Sequence, residues 1–150
     1  MGEEVNLADA NLAQARLNEA FLGNANLKRA QLHEANLSNA TLGLVDFSHA
    51  TLTEADLSDT YLSSSNFMDA DLTGADLSNA LLNQTNLRKA DLTGVNFSGA
   101  ILRETDLRDA KVAVSDLIEA KLYLHTKLPS GLAENPRIKA RIAEVEKAEG

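Results

Sequence analysis

The chain has 150 residues, no cysteine, no tryptophan and a formal net charge of −8. Without cysteine it has neither disulfides nor thiolate metal sites, and its acidic balance disfavours binding to nucleic acid or anionic membranes through a basic surface. The length suits one domain, and no apolar run approaches the ~18 residues that a membrane-spanning helix needs.

A strict five-residue repeat occupies most of the chain, from Leu7 to Leu122. Every fifth position holds a large apolar residue, leucine in twenty of twenty-four cases, and a small residue, usually alanine, lies two positions before it. On an α-helix, which advances ~100° per residue, leucines at this spacing would spiral without forming a stripe. In a straight strand they would alternate between faces. All of them can point inward only if the chain turns a corner every five residues and winds as a solenoid.

A second period of twenty residues gives the number of sides. The residue before each central leucine is mostly polar, and its large apolar exceptions fall in one series: Phe21, Tyr61, Leu81 and Ile101, with Thr41 in the remaining place. The small inward position shows the same period, because non-alanine residues recur at positions 5, 45, 65, 85 and 105. Four repeats per turn predict about six four-sided coils, stacked ~4.8 Å apart.

The repeats resemble those of a known family. Segments such as Ala70-Asp71-Leu72-Thr73-Gly74 and Ala90-Asp91-Leu92-Thr93-Gly94 match the A(D/N)LXX motif of pentapeptide repeat proteins, and the resemblance covers about residues 5–124. It implies an all-β fold, a right-handed quadrilateral β-helix with short strands on four faces and tight turns between them. The Asn or Asp before each central residue is expected to hydrogen-bond neighbouring backbone, as these side chains do in turns.

The pattern changes after Leu122, which divides the chain into an N-terminal extension (1–4), the β-helix (5–124) and a C-terminal segment (125–150). Asn135 and Pro136 provide an N-cap and a first-turn proline. Apolar residues at positions 138, 142 and 145 then predict an amphipathic helix over 136–148. We expect this helix to cap the last coil, and a partner-binding helix is the alternative. The first coil is expected to be exposed or to stack against another molecule.

One candidate site is the apolar series on the outer surface, Phe21, Thr41, Tyr61, Leu81 and Ile101. Outward positions of a solenoid are normally polar, and a contiguous exposed apolar strip usually marks an interface. The hypothesis is a protein partner or self-association through this face. The alternative is a tolerated outer surface, or one that the C-terminal segment covers.

A second candidate is an acidic zone between Arg29 and Arg88, a stretch that contains no Lys or Arg. Most of its acids occupy the Asp/Asn position of the motif, and those beyond the motif are Glu34, Glu54, Asp59 and Asp69. A regular acidic rod could imitate duplex DNA, as the gyrase-binding quinolone-resistance members of the resembled family are understood to do. The short solenoid and the unlike C-terminal segment count against that reading.

No catalytic, cofactor or metal site emerges from the sequence. His33, His49 and His125 occupy different phases of the repeat, and the serines at 38, 58, 78 and 98 share their column with no histidine that could act as a base. The glycines form neither a dinucleotide-binding nor a phosphate-loop pattern. We therefore expect neither an enzyme nor a cofactor.

The sequence thus predicts a non-catalytic structural or protein-interaction scaffold, similar to short stand-alone pentapeptide repeat proteins of cyanobacteria and chloroplasts. The alternative is a DNA-mimicking regulator of a DNA-binding enzyme such as gyrase. Direct binding to nucleic acid or membrane is not expected. The acidic first residues lack an apolar segment, so we expect a cytoplasmic protein, or one of the thylakoid lumen or periplasm whose targeting signal has been removed.

Overall fold

The structure is a computed structural model that describes residues 4–150. Its main feature is a set of parallel β-bridges between residues twenty apart, from Asn6 onward. The remaining regular elements are two helices, α1 (Val114–Leu117) and α2 (Pro136–Glu149). The repeat therefore builds stacked turns of chain, each of twenty residues, as the second sequence period predicts.

The bridged residues lie in four series, which we name faces A to D in chain order. Face A contains Asn6, Asn26, Asp46, Asn66, Asn86, Asp106 and Lys127; face B contains Asn11, Gln31, Thr51, Asp71, Asp91 and Lys111; face C contains Arg16, Asn36, Asp56, Asp76 and Asn96; and face D contains Phe21, Thr41, Tyr61, Leu81, Ile101 and Lys121. On each face only one residue per turn is bridged. The strands are therefore isolated bridges rather than longer β-strands.

Backbone hydrogen bonds run along the stack in both directions. In each repeat the central residue and the corner residue donate to the next turn: Leu27 N–H to Asp46 O (2.8 Å) and Arg29 N–H to Ser48 O (3.0 Å). The residue before the central one donates to the previous turn, as Asn26 N–H does to Val5 O (2.9 Å). Interior turns thus pair most of their backbone with two neighbours.

A left-handed residue makes every corner. All positions in the series 9, 14, 19 and onward to 109 have positive φ, and non-glycine residues fill most of them, for example Asp59 and Leu44 with φ of 57° and 61°. We name the corners AB, BC, CD and DA after the faces that they join. Asn, Asp and Gly tolerate this conformation best, and β-branched residues are absent from the series.

The predicted role of the Asn and Asp residues before the central position is confirmed. In thirteen repeats their Oδ1 accepts the backbone N–H two residues later, as Asp56 does from Ser58 at 3.0 Å. That N–H lies at the start of the corner and makes no bond to a neighbouring turn. The side chain therefore completes the backbone pairing of its own repeat.

The interior contains the central and small residues of the repeat. Leu57 and Leu77 are fully buried, and the rings of Phe47 and Phe67 stack with centroids 4.7 Å apart. Burial of one such side chain contributes ~1.5–3 kcal/mol gross. Leu7, Leu12, Leu17 and Leu22 of the first turn are only partly buried, although they pack against this core. Within residues 4–150 the leucines of the first turn are thus less enclosed than those of the later turns.

Four small residues beside face D form a column of buried hydroxyls. Ser65, Thr85, Thr105 and Thr126 each donate to the carbonyl of a central residue in the preceding turn, at 2.6 to 2.8 Å. A buried hydroxyl is costly unless it is bonded, and here each one is. Hydrogen bonding along the stack therefore accounts for Ser65, Thr85 and Thr105 in the twenty-residue series, whereas Val5 and Val45 of the same series have no hydroxyl.

The prediction of an unbroken repeat to Leu122 is wrong near its end. Helix α1 replaces the strand of face C at residue 116, so the bridges of that face end at Asn96. Val114 occupies a corner position, where its β-branched side chain disfavours the left-handed conformation. The stack also continues past residue 124, because Asp106 bridges Lys127, twenty-one residues later. The extra residue in this turn shifts the bridged position by one relative to the five-residue repeat.

Helix α2 packs on the last turn through both apolar and polar contacts. Ile138 is fully buried in the core. Arg141 Nε donates to Ala120 O at 2.7 Å, and Glu146 Oε1 accepts from Leu124 N–H at 3.1 Å. The helix begins where predicted, because Asn135 Oδ1 accepts the Arg137 N–H. Side chains of α2 therefore pair with backbone groups that would otherwise face an absent further turn.

The C-terminal end of α2 is held by a cluster around Tyr123. Tyr123 Oη donates to Glu149 Oε1 at 2.6 Å, and Arg103 both pairs with Glu149 at 2.8 Å and lies over the Tyr123 ring. Burial, assisted by the Glu149 carboxylate, raises the pKa of Tyr123. The Tyr123 hydroxyl thus keeps its proton, which it donates to Glu149 at the helix contact.

Candidate interaction surfaces

Face D brings together all five residues of the apolar series. Bridges join Phe21 to Thr41, Thr41 to Tyr61, Tyr61 to Leu81 and Leu81 to Ile101, so they form one strip along the stack, which we call the apolar strip. Phe21 is 86% exposed and Tyr61 56% exposed, whereas Leu81 and Ile101 are half-buried. The ends of the strip therefore differ, and its N-terminal part offers the larger free apolar surface.

Small residues surround the exposed rings. The other outward position of face D carries Gly23, Gly43 and Ser63 in the turns of Phe21, Thr41 and Tyr61. At corner DA, Leu44 adds a further exposed apolar side chain, 61% accessible. Because the other outward position of face D holds a small residue in these three turns, a partner could contact the rings directly from that side.

The predicted acidic surface divides into two parts. Glu34 and Glu54 stack on corner BC, where the Glu54 side chain lies over Gly74, and Asp59 lies on corner CD, across face C. Asp56 and Asp76 bridge each other on face C between these corners. The structure therefore assembles five acids, Glu34, Glu54, Asp56, Asp59 and Asp76, which we call the acidic face.

Asp69 lies elsewhere, on corner AB. That corner also carries Arg29, Lys89 and Asp109, and opposite charges pair around it: Arg29 with Asp9 at 2.6 Å and Arg88 with Asp109 at 3.3 Å. Negative charge is thus mixed with positive charge on this side. The prediction that Asp69 belongs with Glu34, Glu54 and Asp59 is therefore wrong. Residues are neighbours when they share a position within the twenty-residue turn, not when they are close in sequence.

Acids toward the ends of the stack are also neutralised. Asp106 is held by Arg108 at 2.6 Å and Asp91 by Lys111 at 3.0 Å. The hydrogen bond from Arg108 lowers the pKa of Asp106, and the hydrogen bond from Thr93, with Lys111 nearby, lowers that of Asp91. Within residues 4–150, by contrast, Glu54, Asp56, Asp59 and Asp76 have no basic side chain within 4 Å.

The histidines lie apart in the stack. His33 bonds Thr53 and contacts Glu34, while His49 lies on corner AB and His125 in the last turn. In the described part of the chain no group of three or more His, Asp or Glu residues is arranged to hold a metal ion. Nor does any described helix have the length and apolarity to cross a membrane.

The family model for pentapeptide repeats matches the chain in eight copies over residues 6–43, 42–79 and 70–109. These matches span more than half of the sequence. The chain belongs to the pentapeptide repeat family. Membership agrees with the resemblance seen in the A(D/N)LXX motifs, and the family's right-handed quadrilateral β-helix agrees with the four faces of bridges.

Solved structures of other pentapeptide repeat proteins are similar to this chain. A protein of the Arabidopsis thaliana thylakoid lumen is 26% identical, with 73% of this chain and 70% of that one covered and a TM-score of 0.37. HetL, involved in heterocyst differentiation regulation in Nostoc sp. PCC 7120, is 22% identical over 83% and 82%, with a TM-score of 0.30. No curated protein sequence matches significantly.

A third similar structure is that of QnrB1, a plasmid-mediated fluoroquinolone resistance protein. It is 14% identical, with 94% of this chain and 88% of that one covered and a TM-score of 0.40. Among pentapeptide repeat proteins, then, the solved structures similar to this chain come from differing biological settings.

Sequence reasoning missed two features of the surface. Leu44 follows the strip but occupies a corner rather than the bridged position, so the period-twenty series omitted it. A groove between α2 and the last turn is lined by Leu124, Leu128 and Ile142, and it lies where the five-residue repeat has ended. Opposite charges twenty residues apart, such as Asp9 and Arg29, are a sequence signal for contacts between turns.

Proposed function

We propose that this pentapeptide repeat protein is a non-catalytic scaffold that binds a protein partner through the apolar strip. The observation that carries the proposal is the continuous strip on one face of the stack, with Phe21 and Tyr61 largely exposed. Exposed apolar strips of this kind mark interaction sites. A regular stack of turns holds the strip flat and rigid, so little ordering is needed on binding.

We further propose that the β-helix consists of about six coils and that α2 caps it. The open edge of a sheet invites association with other chains unless it is covered. Arg141 and Glu146 of α2 bond Ala120 O and Leu124 N–H, two groups that face away from the last turn. Ile138 covers the apolar interior at the same place. The division into a β-helix at 5–124 and a C-terminal segment at 125–150 stays a prediction, and the bridge from Asp106 to Lys127 favours a later boundary.

Tyr61→Asp tests the strip with little risk to the fold. The family motif accepts Asp at this position, and Asp56 shows how such a side chain bonds the N–H two residues later. Thr51→Asp is the matched control, since Thr51 occupies the same repeat position, also exposed, on face B. We expect Tyr61→Asp, and Leu81→Asp likewise, to lose association measured by light scattering or by capture of proteins from the source organism, with unchanged thermal midpoints.

If Tyr61→Asp and Thr51→Asp both retain the mass and the captured proteins of the wild type, the strip is not the interface. A loss in both variants points to charge rather than to apolar contact and argues equally against the proposal.

A second candidate function, a DNA-mimicking regulator of gyrase, is supported by the acidic face. Its five acids lie within about three stacked turns, a length of ~10 Å, over which duplex DNA carries ~6 charges. The charge density of the acidic face is comparable to that of duplex DNA, but the face is only as long as a few base pairs. A supercoiling assay tests it: inhibition or drug protection of gyrase by the wild type, lost in Glu54→Gln/Asp56→Asn/Asp59→Asn, would favour mimicry over a scaffold.

The cytoplasmic location, with thylakoid lumen or periplasm as the alternative, stays a prediction. Fractionation of the source organism with an antibody to this chain measures it directly.

A further inference from the structure

The two most exposed residues of the apolar strip each have an acid beside them. Glu19 precedes Phe21 by two residues and Asp59 precedes Tyr61 by two, and both acids lie on corner CD with positive φ, exposed to solvent. The other residues of this corner, Asn39, Asn79 and Gly99, are uncharged. One edge of the strip thus carries two negative charges, each next to an aromatic ring.

From this juxtaposition we propose that the strip takes an amphipathic helix with an apolar stripe and with Lys or Arg along the side that meets corner CD. The inference rests on the proposed scaffold function and names the chemistry of its partner. Apolar residues of the helix lie on Phe21, Tyr61 and Leu81, while its basic residues lie over Glu19 and Asp59.

The spacing along the strip fits a helix laid parallel to the stack. Phe21 and Tyr61 are two turns apart, which corresponds to ~9.6 Å at sheet spacing. Residues seven apart on an α-helix lie ~10.5 Å apart on the same side, so one pair of side chains can match both rings, and one pair of cations both acids. The strip from Phe21 to Ile101 spans four stacking steps, ~19 Å, the length of ~13 helical residues.

Electrostatics selects a basic helix over a neutral or acidic one. Beyond corner CD lies the acidic face, whose Asp56 and Asp76 have no basic side chain within 4 Å in the described chain. The sequence between Arg29 and Arg88 contributes no cation to compensate these charges. The opposite edge, corner DA, carries the uncharged Asn24, Leu44, Ser64 and Gln84 beside Phe21 to Leu81, and its one acid, Glu104, lies beside Ile101 at the far end of the strip. Around the two rings attraction therefore acts from one edge only and fixes the rotation of the helix.

The same charges disfavour a second copy of this chain as the occupant. Laying two strips antiparallel about a two-fold axis puts corner CD of one copy against corner CD of the other, with Asp59 facing Asp59. Any pairing also brings together two chains with a net charge of −8 each. Like charges at this distance cost association free energy.

Two fluorescein-labelled synthetic helices of about fourteen residues test the proposal by anisotropy. Both carry the same leucine stripe; one has Lys at two flanking positions seven apart and the other has Glu there. We expect the Lys helix to bind the full-length protein roughly tenfold more tightly than the Glu helix, as suits a few exposed charge pairs of modest strength each. The preference should shrink as salt is raised.

Matched variants locate the site. Asp59→Asn should weaken the Lys helix about threefold, the size of one exposed charge pair, while Asp69→Asn should leave it unchanged. Both residues are exposed corner residues with φ of 57°, but Asp69 lies on corner AB, diagonally opposite. Asn suits the left-handed corner, so neither variant disturbs the fold. Tyr61→Ser should weaken both helices.

Equal binding of the two helices, with Tyr61→Ser still weakening both, would overturn the basic-partner inference and leave the scaffold function standing. Absence of binding by either helix, while Tyr61→Asp still abolishes self-association, would replace the proposed partner by a second copy. If neither binding nor self-association depends on Tyr61, the inference and the proposed function fail together.

Discussion

At the scale of the residue, the corner position is the most demanding site of the repeat. Twenty-one consecutive corners from Asp9 to Asp109 have positive φ, and none carries a β-branched side chain. Leu44 fills one of them with φ of 61°, a conformation that costs an ordinary L-residue ~1–2 kcal/mol. Stacking of the neighbouring turns is what holds it there. Where Val114 arrives at the next corner in the series, the chain forms α1 instead.

The Asp or Asn before the central leucine is a second residue whose properties depend on its immediate neighbours, as the pKa of Asp46 shows. Partial burial raises the pKa of Asp46, but hydrogen bonds from Ser48 and Asn66, with Lys28 nearby, outweigh it and hold the pKa below its usual 3.8. A carboxyl whose pKa is depressed by folding stabilises the protein above its unfolded pKa, and this stabilisation is lost as the pH falls through the folded pKa.

We therefore expect Asp46→Asn to reduce the sensitivity of the fold to acid. The amide keeps the Oδ1 that accepts the Ser48 N–H, and asparagine already occupies the positions above and below at Asn26 and Asn66. The difference in thermal midpoint between wild type and variant should be largest near pH 6 and should shrink below about pH 4. Calorimetric melts across this range measure it; a difference that stays constant with pH contradicts the assignment.

At the scale of the element, α2 is a short helix whose packing rather than its propensity holds it in place. Ile138 and Val145 are buried, yet most of the remaining residues are exposed. Isolated helices of this length are marginal in water. The helix thus owes its order to its contacts with the last turn of the stack.

Ile138→Asp should detach α2 and destabilise the protein. Burial of an unpaired charge at a fully enclosed site costs several kcal/mol, so we expect the thermal midpoint to fall and proteases to cleave within residues 136–149. The control is Ala140→Asp, two residues away on the exposed side of the same helix. If the two variants melt alike, α2 does not protect the end of the stack.

The sequence predicted these elements unequally, for physical reasons. Helix α2 was legible because Asn135 and Pro136 are local start signals, and the prediction of 136–148 agrees with Pro136–Glu149. The apolar strip could be predicted because residues twenty apart in the sequence occupy the same position in successive turns. Helix α1 and the extra residue before Lys127 do not follow from the leucine spacing, which continues to Leu122. The only local signal for the break is the β-branched Val114 at a corner position.

At the scale of the whole molecule, stability is shared between neighbouring turns. In a repeat protein it is approximately a sum of terms for each repeat and each interface between repeats. Within residues 4–150, central leucines in the middle of the stack have a turn on both sides, whereas those of the first described turn have a turn on one side. The same substitution should therefore have different effects along one column of the repeat.

Leu77→Asp should unfold the stack or lower its thermal midpoint more than almost any other single change, because it places a charge in a fully buried position with neighbours on both sides. Leu12→Asp, at the same repeat position in the partly buried first turn, should cost distinctly less. Circular dichroism melts of both variants decide the matter: a midpoint near that of the wild type for Leu77→Asp would be incompatible with an enclosed leucine column.

The directions of the backbone hydrogen bonds have a consequence for how such stacks could polymerise. Each repeat donates two N–H groups toward the C-terminal side and one toward the N-terminal side, so one terminal surface is rich in donors and the other in acceptors. Contact between unlike ends would satisfy both, and because that contact is heterologous and does not close on itself, it would propagate as a fibre. Helix α2 lies at the donor-rich end, where Glu146 accepts from Leu124 N–H, so the cap that we propose would also prevent growth of such a fibre.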